Sequence, residues 1–215
     1  MNSSVPFTDL ISIIHGLLAQ TYRENRTLLE YKTPFQLLIS VILSAQTTDN
    51  QVNAVTPGLF MRFPTPGSLA NGSLAEIEEL IHATGFFKMK ARHIKATAQK
   101  LVEAFGGKVP GTMDELLTLK GVGRKSANVV LAHCFGKPAV IVDTHYMRVT
   151  KRLGLTAETE PGLIEKDLAQ KIPEKLQTDL SMYLNYLGRD WCKARKPDCQ
   201  ACPLNELCPS AGTYL

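Results

Sequence analysis

The sequence predicts an all-α protein, and three observations carry that prediction. Apolar residues recur at three- and four-residue spacing through most of the chain. Helix N-cap signatures precede several of these stretches, and only PAVIVD, at 138–143, reads as extended.

The elements follow in chain order. TDLISIIHGLLAQTY, at 8–22, places Leu10, Ile11, Ile14, Leu17 and Leu18 on one stripe, with Thr8 as candidate N-cap. Residues 34–45 begin at Pro34, a residue suited to a first helical turn, and are apolar almost all round, which marks a core helix. Ser73 and Glu76 make a capping box opening LAEIEELIHA, and Thr112 and Glu115 make another before a short DELL helix. Residues 88–105 form a basic amphipathic helix that Gly106 and Gly107 terminate. A helix over 124–134 and several more through residue 187 complete the reading. No low-complexity segment, fixed repeat or long linker interrupts it.

The 215 residues are 44% hydrophobic and 20% charged, an ordinary globular balance that excludes a disordered or fibrous chain. No apolar run approaches the roughly 20 residues of a membrane-spanning helix. Met1–Asp9 lacks the basic-then-apolar pattern of an export signal, so a cytoplasmic protein with no membrane partner is expected. The 24 basic and 20 acidic residues give +4, a mild lean towards anionic partners. Their distribution says more. Cations gather at Lys88, Lys90, Arg92, His93 and Lys95, at Arg124 and Lys125, at Arg148, Lys151 and Arg152, and at Arg189, Lys193, Arg195 and Lys196. Any one cluster is what a solvated helix face looks like, but four of them set apart from the acids point to a polyanion surface.

Four of the five cysteines, Cys192, Cys199, Cys202 and Cys208, read C-x6-C-x2-C-x5-C. Cys134, inside VVLAHCF, reads as a small buried hydrophobe. With no export signal and enough chain for a real core, a metal centre is a better expectation than disulfides. Four-cysteine zinc sites usually show two close pairs, and here only Cys199 and Cys202 form one. The irregular gaps favour a larger iron–sulfur cluster over zinc, though spacing alone leaves both open.

The other informative segment is LKGVGRKSANVV, at 119–130. Gly121 and Gly123 flank Val122 between two helices, so the backbone can turn tightly and approach a ligand closely. The amides of Val122, Gly123 and their neighbours, at a helix N-terminus, would offer an anion site, with a nucleic-acid phosphate the preferred anion. A plain helix–helix corner has the same local pattern.

Taken with VDTHYMRV (142–149), ILSAQTTD (42–49) and the cysteine spacing, this segment resembles the endonuclease III family of helix-hairpin-helix DNA glycosylases. The match runs from about residue 30 to residue 208 in the same order. The resemblance implies a two-lobed fold, with a six-helix barrel domain over 27–137 and an iron–sulfur domain from 1–26 and 138–215. It implies a [4Fe-4S] cluster on the four cysteines and an active site in the cleft between the lobes. Lys125 matches the family's nucleophile and Asp143 its catalytic carboxylate. Without the motif, Lys125 would read as a surface lysine and Asp143 as a helix N-cap.

Gln46 matches the residue inserted into the gap left by an extruded nucleotide. Phe86 stands where some relatives carry a leucine wedge, and ordinary core packing is its alternative. Lys120 stands where proline is usual and is expected at the hairpin's edge, near phosphate or solvent. Arg124, Lys193, Arg195 and the 88–95 helix complete the expected DNA contacts, with Asp49 and His145 beside the cleft. The implied function is a monomeric, nucleoid-associated DNA glycosylase and AP lyase acting on oxidised pyrimidines or abasic sites in duplex DNA. The alternatives are a mismatch-specific (adenine or thymine) glycosylase of the same superfamily, which the lysine disfavours, and a non-catalytic iron–sulfur DNA-binding protein, which would not need Lys125 and Asp143 together.

Overall fold

The computed structural model describes residues 6–213. Met1–Val5, part of the stretch read as carrying no export signal, and the last two residues of the expected cluster domain lie outside the described residues. Among the described residues there is no strand. The helices are α1 (Phe7–Thr21), α2 (Pro34–Leu43), α3 (Asp49–Arg62), α4 (Pro66–Asn71), α5 (Leu74–Leu80), α6 (Phe87–Phe105), α7 (Met113–Leu117), α8 (Arg124–Phe135), α9 (Thr144–Arg152), α10 (Pro161–Lys171) and α11 (Glu174–Asp190). A 3-10 turn at Asn205–Leu207 follows. They divide into two compact units, Thr27–Gly136 and Met1–Arg26 with Lys137–Leu215.

The 27–136 unit is built around α2. Phe35 and every residue from Leu37 to Leu43 are buried, as the all-round apolar composition of this helix requires. Thr33 caps it by accepting the Gln36 amide at 3.2 Å. Helix α6 turns Lys90, Ala91, Ile94, Thr97, Ala98 and Leu101 inward and ends at Gly106 in the left-handed conformation. The Ser73–Glu76 capping box does not form, because Arg62 takes the Glu76 carboxylate with both Nε and Nη2. A box that lacks the usual glutamate or glutamine closes α4 instead: Ser68 N donates to Thr65 Oγ1 at 3.1 Å and Thr65 N to Ser68 Oγ at 3.0 Å.

The other unit joins α1 to α9, α10 and α11 around Ile11, Ile14, Leu18, Tyr146, Leu180 and Leu184. Each such buried aliphatic side chain contributes about 1.5–3 kcal/mol. Thr8 does not cap α1. The carbonyl of Pro6 accepts from Leu10 N at 3.1 Å, which starts the helix earlier than a Thr8 cap would. PAVIVD lies in neither a helix nor a sheet, and Asp143 at its end is extended. Its residues 139–142 are buried, and hydroxyls of α11 stand in for a neighbouring strand. Ala139 N donates to Thr178 Oγ1 at 3.3 Å and Ile141 N to Ser181 Oγ at 3.1 Å. The segment delivers Asp143 to the N-terminus of α9.

Candidate active site

In the 27–136 unit the hairpin runs from α7 through Thr118–Gly123 into α8. The two glycines have separate jobs. Gly121 has φ +79°, and a Cβ there would lie 2.9 Å from His93 Nδ1 and 3.0 Å from Ile42 Cγ2. It is needed both for the turn and for close packing onto α2 and α6. Gly123 has ordinary backbone angles and open space where its side chain would be. Helix α6 secures the turn, with Thr97 Oγ1 donating to Lys120 O at 2.9 Å and Lys100 Nζ to Thr118 O at 3.1 Å.

One sequence expectation needs correction here. The Val122 amide donates to Leu119 O at 3.3 Å, so the turn itself uses it, and the Val122 side chain is buried. Gly123 begins α8 without a side-chain cap, at the end of a helix where anions are favoured. Lys120, Gly121, Gly123, Arg124 and Lys125 are exposed around this end. Lys125 is the second residue of α8, at the positive end of the helix dipole.

Two more predicted residues come together on the same unit. Gln46, in the loop after α2, and Phe86, just before α6, are both left-handed non-glycine residues, with φ 52° and 59°. Each costs of order 1–3 kcal/mol, strain that concentrates at functional sites. Gly85 lies against the Gln46 carbonyl, 3.5 Å from where its Cβ would be. Phe86 is 61% exposed, so the core-packing alternative fails. The third left-handed non-glycine among the described residues, Lys196, lies in the cysteine loop beside Lys193 and Arg195. Lys90, counted with the basic surface from sequence, is 1% exposed: its helix position faces inward, and its Nζ donates to Thr47 Oγ1 at 2.6 Å. Lys95 likewise donates to Gly72 O at 2.6 Å, which leaves Lys88 and Arg92 as the exposed cations of this helix.

In the other unit, Asp143 caps α9. Its Oδ1 accepts the Tyr146 amide at 2.7 Å and its Oδ2 accepts Asn185 Nδ2 from α11. Arg189 Nε donates to Asn185 Oδ1 at 2.9 Å; because a guanidinium only donates, this fixes the amide with its NH2 towards Asp143. No sequence motif singles out Asn185. Further along α9, Arg148 donates to Gly188 O at 2.7 Å and Cys192 O at 2.8 Å, with His145 Nδ1 3.1 Å from its Nη2. Arg152 Nη1 donates to Lys193 O at 2.8 Å and reaches Cys192 Sγ at 3.3 Å. With two backbone carbonyls held from below, by Arg152 on Lys193 O and Ala194 O, the Lys193 and Arg195 side chains stand in solvent.

Cys192, Cys199, Cys202 and Cys208 line one cavity with Arg152, Trp191 and Pro197. Among the described residues no three histidine, cysteine or carboxylate side chains are grouped as they would be on a single ion. Burial pushes the Cys202 thiol up to about 11 and Cys208 upward too, and the neighbouring cysteines add to both. Thiolates gathered this closely need a cationic core between them, which either a zinc ion or an iron–sulfur cluster supplies. Cys134, in the 27–136 unit, is half-buried, and burial raises its thiol to about 11.

Residues 39–174 match the HhH-GPD superfamily base excision DNA repair protein family, and residues 192–208 match the iron–sulfur binding domain of endonuclease III. Endonuclease III of Synechocystis sp. is 54% identical over 196 residues, 91% of this chain and 90% of that protein. The structure of a trapped endonuclease III–DNA covalent intermediate, an estranged-adenine complex, superposes with a TM-score of 0.90 at 38% identity, covering 97% of this chain and 99% of that one. A non-covalent endonuclease III–DNA complex gives a TM-score of 0.90 and 38% identity over 97% and 98% of the two chains. The domain matched over 192–208 resolves the choice that spacing left open: these residues hold a [4Fe-4S] cluster.

Proposed function

Since the chain belongs to the endonuclease III family of base excision DNA repair proteins, we propose that Lys125 is its nucleophile and Asp143 the carboxylate that works with it. The protein is a DNA glycosylase with AP lyase activity. The observation that carries the assignment is the position of Lys125: an exposed amine on the uncapped first turn of α8, directly after the Gly121–Gly123 turn that can seat a phosphate.

The chemistry follows from these groups. As the C1′–N bond of a damaged nucleotide breaks, positive charge grows on the sugar and the base departs with the bonding electrons. The Asp143 carboxylate, oriented by Tyr146 N and Asn185, opposes that charge. The Lys125 amine, once it has lost its proton, bonds to C1′ and the ring opens to an imine. The imine draws electrons from C2′, whose proton leaves as the C3′–O bond breaks, releasing the 3′ phosphate. Gln46 and Phe86 fill the duplex where the nucleotide has swung out, Gln46 towards the unpaired base and Phe86 as a wedge that can also stack. Gly123, Arg124, Lys120, Lys193 and Arg195 hold phosphates. The cluster, bound by its four cysteines, supplies a cross-link that shapes the basic loop.

Oxidised pyrimidines in duplex DNA are the substrate class of this reading, the 27–136 unit its barrel domain, a monomer its working form and the nucleoid its place of work. Among the described residues no helix is long and apolar enough to cross a membrane. Borohydride, which reduces an imine to a stable amine, tests the nucleophile. Wild type should become covalently attached to abasic-site DNA, while Lys125→Gln should bind that DNA and form no adduct. Normal strand cleavage by the variant would move the nucleophile elsewhere, with exposed Lys120 next in line.

A further inference from the structure

Lys90 is an anomaly. It is 1% exposed on the second turn of α6, at the end of that helix where the backbone dipole disfavours a cation. Its ammonium forms no ion pair with a carboxylate among the described residues. Desolvation disfavours its charged form, and a methionine would fill much of the same volume without that cost. Stability of the fold therefore does not explain a lysine here. What it touches does: Nζ donates to Thr47 Oγ1 at 2.6 Å, and Thr47 adjoins Gln46, the exposed residue held at φ 52°. The same α6 turn follows Phe86 (φ 59°), and Gly85 lies against the Gln46 carbonyl.

We propose that Lys90 is a positioning residue: through Thr47 it pins the Gln46 loop to the start of α6, so that Gln46 and Phe86 are presented together, already strained, to a duplex. A left-handed residue in an exposed loop relaxes unless its neighbours hold it. The Lys90–Thr47 bond is the tether that crosses from one segment to the other. The proposal rests on the reading that Gln46 enters the gap opposite an everted nucleotide. It also predicts specificity, because a loop that wanders would fill a gap but no longer distinguish the opposite base.

The test compares single-turnover cleavage of an abasic site in duplex DNA with cleavage of the same site in single-stranded DNA, where there is no gap to fill. Lys90→Met and Thr47→Val should each lower the duplex-to-single-strand rate ratio by about tenfold, as expected for losing a charge-assisted hydrogen bond. The double variant should be no worse than either single one. Thr47→Val changes an intermediate, loop position and keeps its shape, so it stands in if Lys90→Met fails to fold. Equal losses on both substrates, or additive losses in the double variant, would overturn the pin. Gln46→Ala, run in parallel, separates the two layers. If it lowers the ratio and the pin variants do not, the pin alone is wrong. If it leaves the ratio unchanged, the reading of Gln46 fails and the pin falls with it.

Discussion

Replacing Gly121 and Gly123 by alanine, one at a time, should give opposite phenotypes. At Gly121 the added methyl meets His93 Nδ1 at 2.9 Å, Ile42 Cγ2 at 3.0 Å and His93 Cβ at 3.2 Å, and φ is +79°. Holding a non-glycine residue in the left-handed region costs about 1–2 kcal/mol, and forcing a methyl into filled space typically costs a further ~1–3 kcal/mol. His93 and Ile42 sit on separate helices that both support the hairpin, so neither side relaxes freely. The sum, roughly 2–5 kcal/mol, corresponds to a fall in Tm of roughly 5–15 °C for a chain of this size. At Gly123 the methyl meets nothing within 4 Å and φ is −102°, so stability should change by less than about 0.5 kcal/mol. Its open space is where a phosphate would come, and Gly123→Ala should instead weaken binding to abasic-site duplex. Thermal melts followed by helical circular dichroism, together with fluorescence anisotropy on labelled DNA, read both quantities. If Gly121→Ala melts like wild type, or Gly123→Ala melts far below it while binding normally, the assignment of one glycine to packing and the other to ligand access is wrong.

Three other outcomes are expected. Asn185→Ala frees one oxygen of Asp143 and should lower kcat by roughly ten- to a hundredfold with little change in KM, from the worth of a hydrogen bond to a charged group; an unchanged kcat would show that Asn185 does not orient the carboxylate. Converting Lys193 and Arg195 to glutamine together should make the dependence of log Kd on log salt shallower by about two, since each phosphate that is no longer neutralised removes roughly 0.9 from the slope. An unaltered slope would remove this loop from the DNA interface. Cys199→Ala should lose bound iron and visible colour together with solubility, and recovery of a colourless, folded, active protein would argue that the loop does not need its cluster.

Much of the fold can be read from sequence because the governing interactions are local. The stripe of α1 and the all-round apolar α2 depend on spacing within one element, and so does the glycine pair of the hairpin. Reading fails where another element competes for a group. Ser73 and Glu76 carry a sound capping pattern, but Arg62, fourteen residues away in sequence, claims the carboxylate. Asn185 has no local signature, since its role exists only once α11 lies against α9. Helix α3 is hard to see because its apolar positions are sparse and Pro57 interrupts them. Lys90 is readable in principle. It shares a helix face with Ile94, Ala98 and Leu101, all fully buried, and that register outweighs the basic residues on either side.

The packing of α1 has a consequence for synthesis. Its apolar stripe, Ile11, Ile14 and Leu18, is covered by residues from 140 onward, and the whole 27–136 unit is translated before any of them. At about 5–20 residues per second, the first helix waits on the order of ten seconds outside the ribosome with its oily side uncovered. The middle of the chain can close its own core meanwhile, but the half bearing Asp143 cannot assemble until α9, α10 and α11 have been made. A chaperone that recognises short apolar helices should therefore bind nascent chains halted near residue 136, and let go of those that reach the cysteines.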